Sequence, residues 1–72
     1  MTESAFNVDE IEKHEKIELC FVHSYNNVSV IFDTDHITSE LMNIVADNCS
    51  ETPFVYDICG GINERMRVSF EF

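Results

Sequence analysis

Tryptophan is absent from this 72-residue sequence, and proline occurs once, as Pro53. Glycine occurs only as the adjacent pair Gly60-Gly61, and fixed positive charge is limited to Lys13, Lys16, Arg65 and Arg67. From Ile17 to Glu64 there is no Lys or Arg at all. A surface so poor in cations cannot displace counterions from a phosphate backbone, which argues against direct binding to nucleic acid or anionic membranes. The glycine pair is followed by a strand-like segment without lysine, so it reads as a hairpin turn and not as a phosphate cradle. No charge-free apolar run approaches the roughly 20 residues of a membrane span. The start, MTESAFNVDE, lacks a basic segment followed by an apolar stretch, and the chain is expected in the cytoplasm. Three cysteines, Cys20, Cys49 and Cys59, leave one unpaired in any disulfide scheme. That usage fits a reducing compartment and three small buried hydrophobes.

What the chain has in abundance is negative charge. Fourteen acids give a formal net charge of −10 at pH 7. Residues 1–18 carry six acids and two lysines, residues 19–58 six acids and no fixed cation, and residues 59–72 two of each. The apolar fraction of 44% and the eight aromatics, six Phe and two Tyr, place the chain among folding sequences, not disordered ones. A chain this short buries only about 60% of its unfolded surface and builds one core. Residues 1–15 read as a polar N-terminal arm or a short helix from Asn7, and residues 16–72 as a single domain.

Within that domain the periodicity changes twice. Ile17, Leu19, Phe21 and His23 alternate with Glu18, Cys20 and Val22 as in a strand. Asn26-Asn27 suits a two-residue turn, which would set Tyr25 opposite Val28, His23 opposite Val30, Phe21 opposite Phe32 and Leu19 opposite Thr34. Ile37, Leu41, Ile44, Val45 and Cys49 then follow helical spacing to about Asn48. Thr38 is placed to cap that helix, and Ile37 and Met42 to staple its entry. A third strand is expected over Phe54 to Cys59. In the fourth, Met66, Val68, Phe70 and Phe72 alternate with Arg65, Arg67, Ser69 and Glu71. A three-residue loop at 60–62 would oppose Tyr56 with Met66, Phe54 with Val68 and Asp57 with Arg65. The expectation is an α+β fold: a small ββαββ domain with a four-stranded antiparallel sheet and one helix packed on one face.

The stretch SVIFDTDHIT partly resembles the first motif of haloacid-dehalogenase-like phosphatases, where a strand ends in Asp-x-Asp. Asp33 and Asp35 match, but His36 stands in place of the usual glycine. The 36 residues that follow cannot supply the lysine, the further carboxylates and the doubly wound sheet of such an enzyme. Two acids ahead of a helix are also favoured by its dipole. Cys20 and His23, three apart on a strand, point to opposite faces, and no C-x₂-C or H-x₃-H pair is present to hold zinc. A reactive thiolate needs positive surroundings, and these are negative. No catalytic residue, metal or cofactor is expected.

A protein-binding role is the reading left. Carboxylates at two-residue intervals on a strand stand roughly 7 Å apart, a phosphate-like spacing. An acidic sheet could thus fill the basic groove of a nucleic-acid-handling protein, aided by electrostatic steering. Glu18, Asp33, Asp35, Glu40, Asp47, Glu51 and Asp57 are the expected contacts, with Tyr25, Tyr56 and Phe72 as aromatic anchors. Phage-encoded inhibitors, including anti-CRISPR and DNA-mimic proteins, share this size and charge profile, although no residue motif carries the analogy. Two alternatives use the same features: an immunity or antitoxin-like module facing a basic toxin, and a homo-oligomeric regulatory or assembly subunit. The latter would pair with a copy of itself, as a homodimer, through sheet edges and Phe70-Glu71-Phe72.

Overall fold

Two strands whose every second residue is a large hydrophobe want cover on one face and a partner on each side. The computed structural model, which describes residues 4–34, 36–62 and 65–72, satisfies both demands. Its elements are α1 (Val8–Glu12), β1 (Ile17–Ser24), β2 (Asn27–Phe32), α2 (Ser39–Asp47), β3 (Phe54–Ile62) and β4 (Arg65–Glu71). The sheet is antiparallel throughout, in the order β1-β2-β4-β3. The most regular strands, β2 and β4, lie in the middle. Val28 opposes Phe70, Val30 opposes Val68 and Phe32 opposes Met66, and all six are buried.

The helix α2 forms where the spacing places it. Thr38 caps it, its hydroxyl accepting from the Leu41 amide at 3.3 Å, and Leu41 and Val45 are buried against the sheet. Ile37 and Met42 pack at the margin of the same core. A second cover comes from the N-terminal segment. The Ala5 amide donates to the Tyr25 carbonyl at 2.9 Å and the Asn7 amide to the Asn48 carbonyl at 2.7 Å. Phe6 pairs with Cys49 as an antiparallel bridge. The short helix α1 then lies along β1, with Ile11 fully buried. Burial of side chains such as Phe6 and Ile11 contributes about 1.5–3 kcal/mol each, so this segment is part of the core.

Both hairpin registers differ from the sequence expectation. In the first, the turn is Tyr25-Asn26: Ser24 opposes Asn27, Phe21 opposes Ser29, Cys20 opposes Val30 and Leu19 opposes Ile31. Register shifts between Ile17 and Leu19 and between Val22 and Ser24 reverse the parity of the strand. Ile17, Cys20 and Val22 turn toward the core, while Leu19 and Phe21 turn away. The physical reason is α1: the small side chains of Cys20 and Val22 leave room beneath it for Ile11 and Phe6.

In the second hairpin the glycines belong to the strand. Gly60 opposes Met66, Asp57 opposes Ser69 rather than Arg65, and Phe54 opposes Glu71 rather than Val68. Ile62 opposes Arg65. Gly60 has φ +110°, and a Cβ there would meet the Arg65 carbonyl oxygen at 3.0 Å. Glycine is used for an irregular, closely approached strand position, not for the turn.

Candidate functional site

Phe6, Ile11, Leu41 and Val45 all join one core with the inward residues of β2 and β4. The helical layer therefore covers one face of the sheet, except at the edge strand β3, where Ile58 opposite Val68 is 53% exposed, and leaves the other face open. Along β1 the open face carries Leu19 and Phe21, and along β2 it carries Asn27, Ser29 and Ile31. On β4 it carries Arg65, Arg67, Ser69 and Glu71, and on β3 Phe54, Asp57 and Cys59. Tyr56 sits at the register shift between Val55 and Asp57, and its hydroxyl reaches across β4 to donate to Asn27 Oδ1 at 2.9 Å. A solvated sheet face is ordinarily polar. Here Leu19, Phe21, Phe54 and Tyr56 are 39%, 41%, 53% and 45% exposed.

Between these apolar margins lies a polar centre. Ser29 and Ser69, opposed on β2 and β4, are both buried, and their hydroxyl oxygens are 2.9 Å apart. His23 Nε2 lies 2.7 Å from Ser29 Oγ. A histidine beside a serine has the outline of a base and a nucleophile, but the hydroxyl is buried and continues to a second hydroxyl instead of a carboxylate. The three groups satisfy one another in mid-sheet. Charge on this face is also matched: Arg65 Nε is 3.1 Å from Glu18 Oε2, and Arg67 Nη2 is 3.7 Å from Asp57 Oδ2. Exposed pairs of this kind contribute about 0–1 kcal/mol each.

The expected acidic contacts divide between the two sides of the molecule. Glu18 and Asp57 lie on opposite edge strands and face arginines. Glu40 and Asp47 lie on α2, Asp33 follows β2 and Glu51 follows α2, all exposed; Asp35 lies outside the described residues. Glu40 Oε1 is 3.0 Å from His14 Nε2. The acids of α1 and its exit, Asp9, Glu10, Glu12 and Glu15, are exposed beside them, and Glu10 pairs with Lys13 at 2.8 Å. The negative surface is thus the helical layer with its flanking loops, not a row of carboxylates along the sheet. Sequence reasoning left the α1 acids out because it did not fix that segment in place.

Of the aromatic anchors, Tyr56 is on the open face and Tyr25 is in the first turn, 57% exposed. Phe72 is half-buried, its ring 5.9 Å from Phe6 and 6.4 Å from Tyr25, so it is engaged within its own chain. Leu19, Phe21 and Phe54 were missed as surface groups because the expected registers turned them inward. No signal in the sequence marks the irregularities that turn them out.

All three cysteines are free thiols, but of the three expected to be buried only Cys20 is: Cys49 is half-buried and Cys59, on the edge strand β3, is exposed. Burial, with a smaller contribution from Glu12, pushes the Cys20 thiol up to about 12, which keeps it protonated and unreactive. Among the described residues no three His, Cys, Asp or Glu side chains are grouped to hold a metal ion, and no helix is long and apolar enough to cross a membrane. A solvent-open groove lined by Ser4, Phe6, Asn7, Val8, Asp9 and Val22 has no converging catalytic groups. The fold and surface define an α+β protein with one acidic, helix-covered side and one open sheet. Compared with known proteins, the chain matches no family model, no curated protein and no solved structure.

Proposed function

We propose that this chain is a non-catalytic inhibitor that binds, through its acidic helical layer, the basic surface of a nucleic-acid-handling protein. The observation that supports this reading is the separation of charge. Arg65 and Arg67 are spent against Glu18 and Asp57 on the sheet face, and the exposed acids of α1, α2 and their flanking loops are left in large excess over Lys13 and Lys16. Such a layer attracts a surface built to hold phosphates and speeds encounter with it.

The test is capture of partners from nuclease-treated lysate at low and high salt, followed by displacement of labelled nucleic acid from the purified partner. The expected catch is a basic protein that is lost at high salt and lost again with the Glu40→Gln/Asp47→Asn double variant. The chain should release that protein's nucleic acid. Capture that resists salt and ignores the double variant would overturn the reading.

A further inference from the structure

We infer that the open face of the sheet closes against the same face of a second copy, giving a face-to-face dimer with its two acidic helical layers outermost. This uses the side of the molecule opposite to the proposed inhibitory surface and does not depend on it. Three observations lead to the second copy as the occupant. The first is composition: Leu19 and Phe21 along one margin and Phe54 and Tyr56 along the other are exposed on a face that water alone would select to be polar.

The second is charge. Each copy carries −10, so two copies repel over most of their surfaces. On the open face, however, two arginines stand against three carboxylates, Glu18, Asp57 and Glu71, and both arginines are already paired. A basic partner has little to gain there, whereas a second copy meets a nearly neutral surface. In a face-to-face dimer the two helical layers lie beyond a pair of sheets packed about 10 Å apart, farther than the screening length of about 8 Å at physiological salt.

The third is extent. Four strands spaced about 4.8 Å, with a rise of about 3.3 Å per residue, give a footprint of roughly 19 by 25 Å. Two such faces bury on the order of 1,000 Å², the lower bound for a specific interface. Edge-to-edge pairing is the competing geometry. Both edge strands carry two register irregularities each, at Ile17/Leu19 and Val22/Ser24 of β1 and at Val55/Asp57 and Gly60/Ile62 of β3, and such irregularities interrupt the ladder a new strand would need. The contact is isologous: the apolar margins of one face meet those of the other around the His23, Ser29 and Ser69 centre.

Sedimentation equilibrium of the full chain over a concentration series tests this. The expected mass is twice the 8.3 kDa of the chain, with dimerisation unchanged or strengthened as salt rises. Phe21→Asp, and separately Phe54→Asp, should raise the dissociation constant at least about tenfold with an unchanged circular dichroism spectrum. Glu40→Gln should leave it unchanged or lower it. A chain that stays monomeric up to ~1 mM would overturn the inference, including one that instead binds a different protein through Phe21. So would a dimer indifferent to both phenylalanine substitutions.

Discussion

Ile11 shows how one residue changes the status of a segment. It lies in a stretch of mostly polar residues, yet its side chain is fully buried, and Phe6 five positions earlier is buried with it. Ile11→Ala is expected to cost about 2–5 kcal/mol in urea unfolding. A loss below about 1 kcal/mol would mean that α1 is a peripheral arm. Cys20, inside the same cover, makes a pH prediction. Its thiol is held protonated in the fold, up to about 12 against an ordinary value of 9.0. The folded chain therefore binds that proton more tightly than the unfolded chain does. The resulting stability is fully present below pH 9 and is lost as the pH rises toward 12. Cys20→Ala should flatten the alkaline decline across that window relative to the parent chain, as followed by denaturant midpoints at each pH. Parallel curves for the two proteins would refute the assignment.

Among the elements, legibility followed regularity. The strand β4 alternates without interruption and α2 has both a cap and a 3.6-residue apolar spacing. Both stand where those patterns put them, and the class of fold follows from them. The strands β1 and β3 alternate as well, but each is broken by irregularities that depend on what packs above them. In β1 the cause is Ile11 and Phe6, residues outside the strand, so no local pattern around Asn26-Asn27 could reveal the parity change. In β3 a glycine pair with strong turn chemistry was absorbed into the strand. Gly60 carries the resulting constraint: with φ +110° and the Arg65 carbonyl 3.0 Å from a would-be Cβ, Gly60→Ala should destabilise by at least about 1 kcal/mol. In a domain of this size that lowers the melting temperature by about 4–8 °C. An unchanged melting temperature would show that the strand can adopt a regular path there. The errors of register also decided how much of the surface was legible, because a one-residue slip exchanges core and solvent faces.

For the molecule as a whole, the consequence is a division of labour between two sides. Acidity was evident from composition, but its location was not, since it depends on which strands pair their carboxylates with Arg65 and Arg67 and on where α1 comes to rest. The helical side holds most of the uncompensated carboxylates; the sheet side holds mostly paired charge and exposed aromatics. An inhibitor built this way would bind its target by charge and a second copy by apolar contact, so salt should act on the two in opposite directions. The measurement that tests this most directly is the dissociation constant for the captured basic protein across a salt series, for the parent chain, the Glu40→Gln/Asp47→Asn variant and Phe21→Asp. The account predicts affinity that falls steeply with salt in the parent, a shallower dependence and weaker binding in the neutralised variant, and target contacts that Phe21→Asp leaves intact. Salt-independent affinity, or target binding abolished by Phe21→Asp and untouched by the neutralised acids, would contradict it.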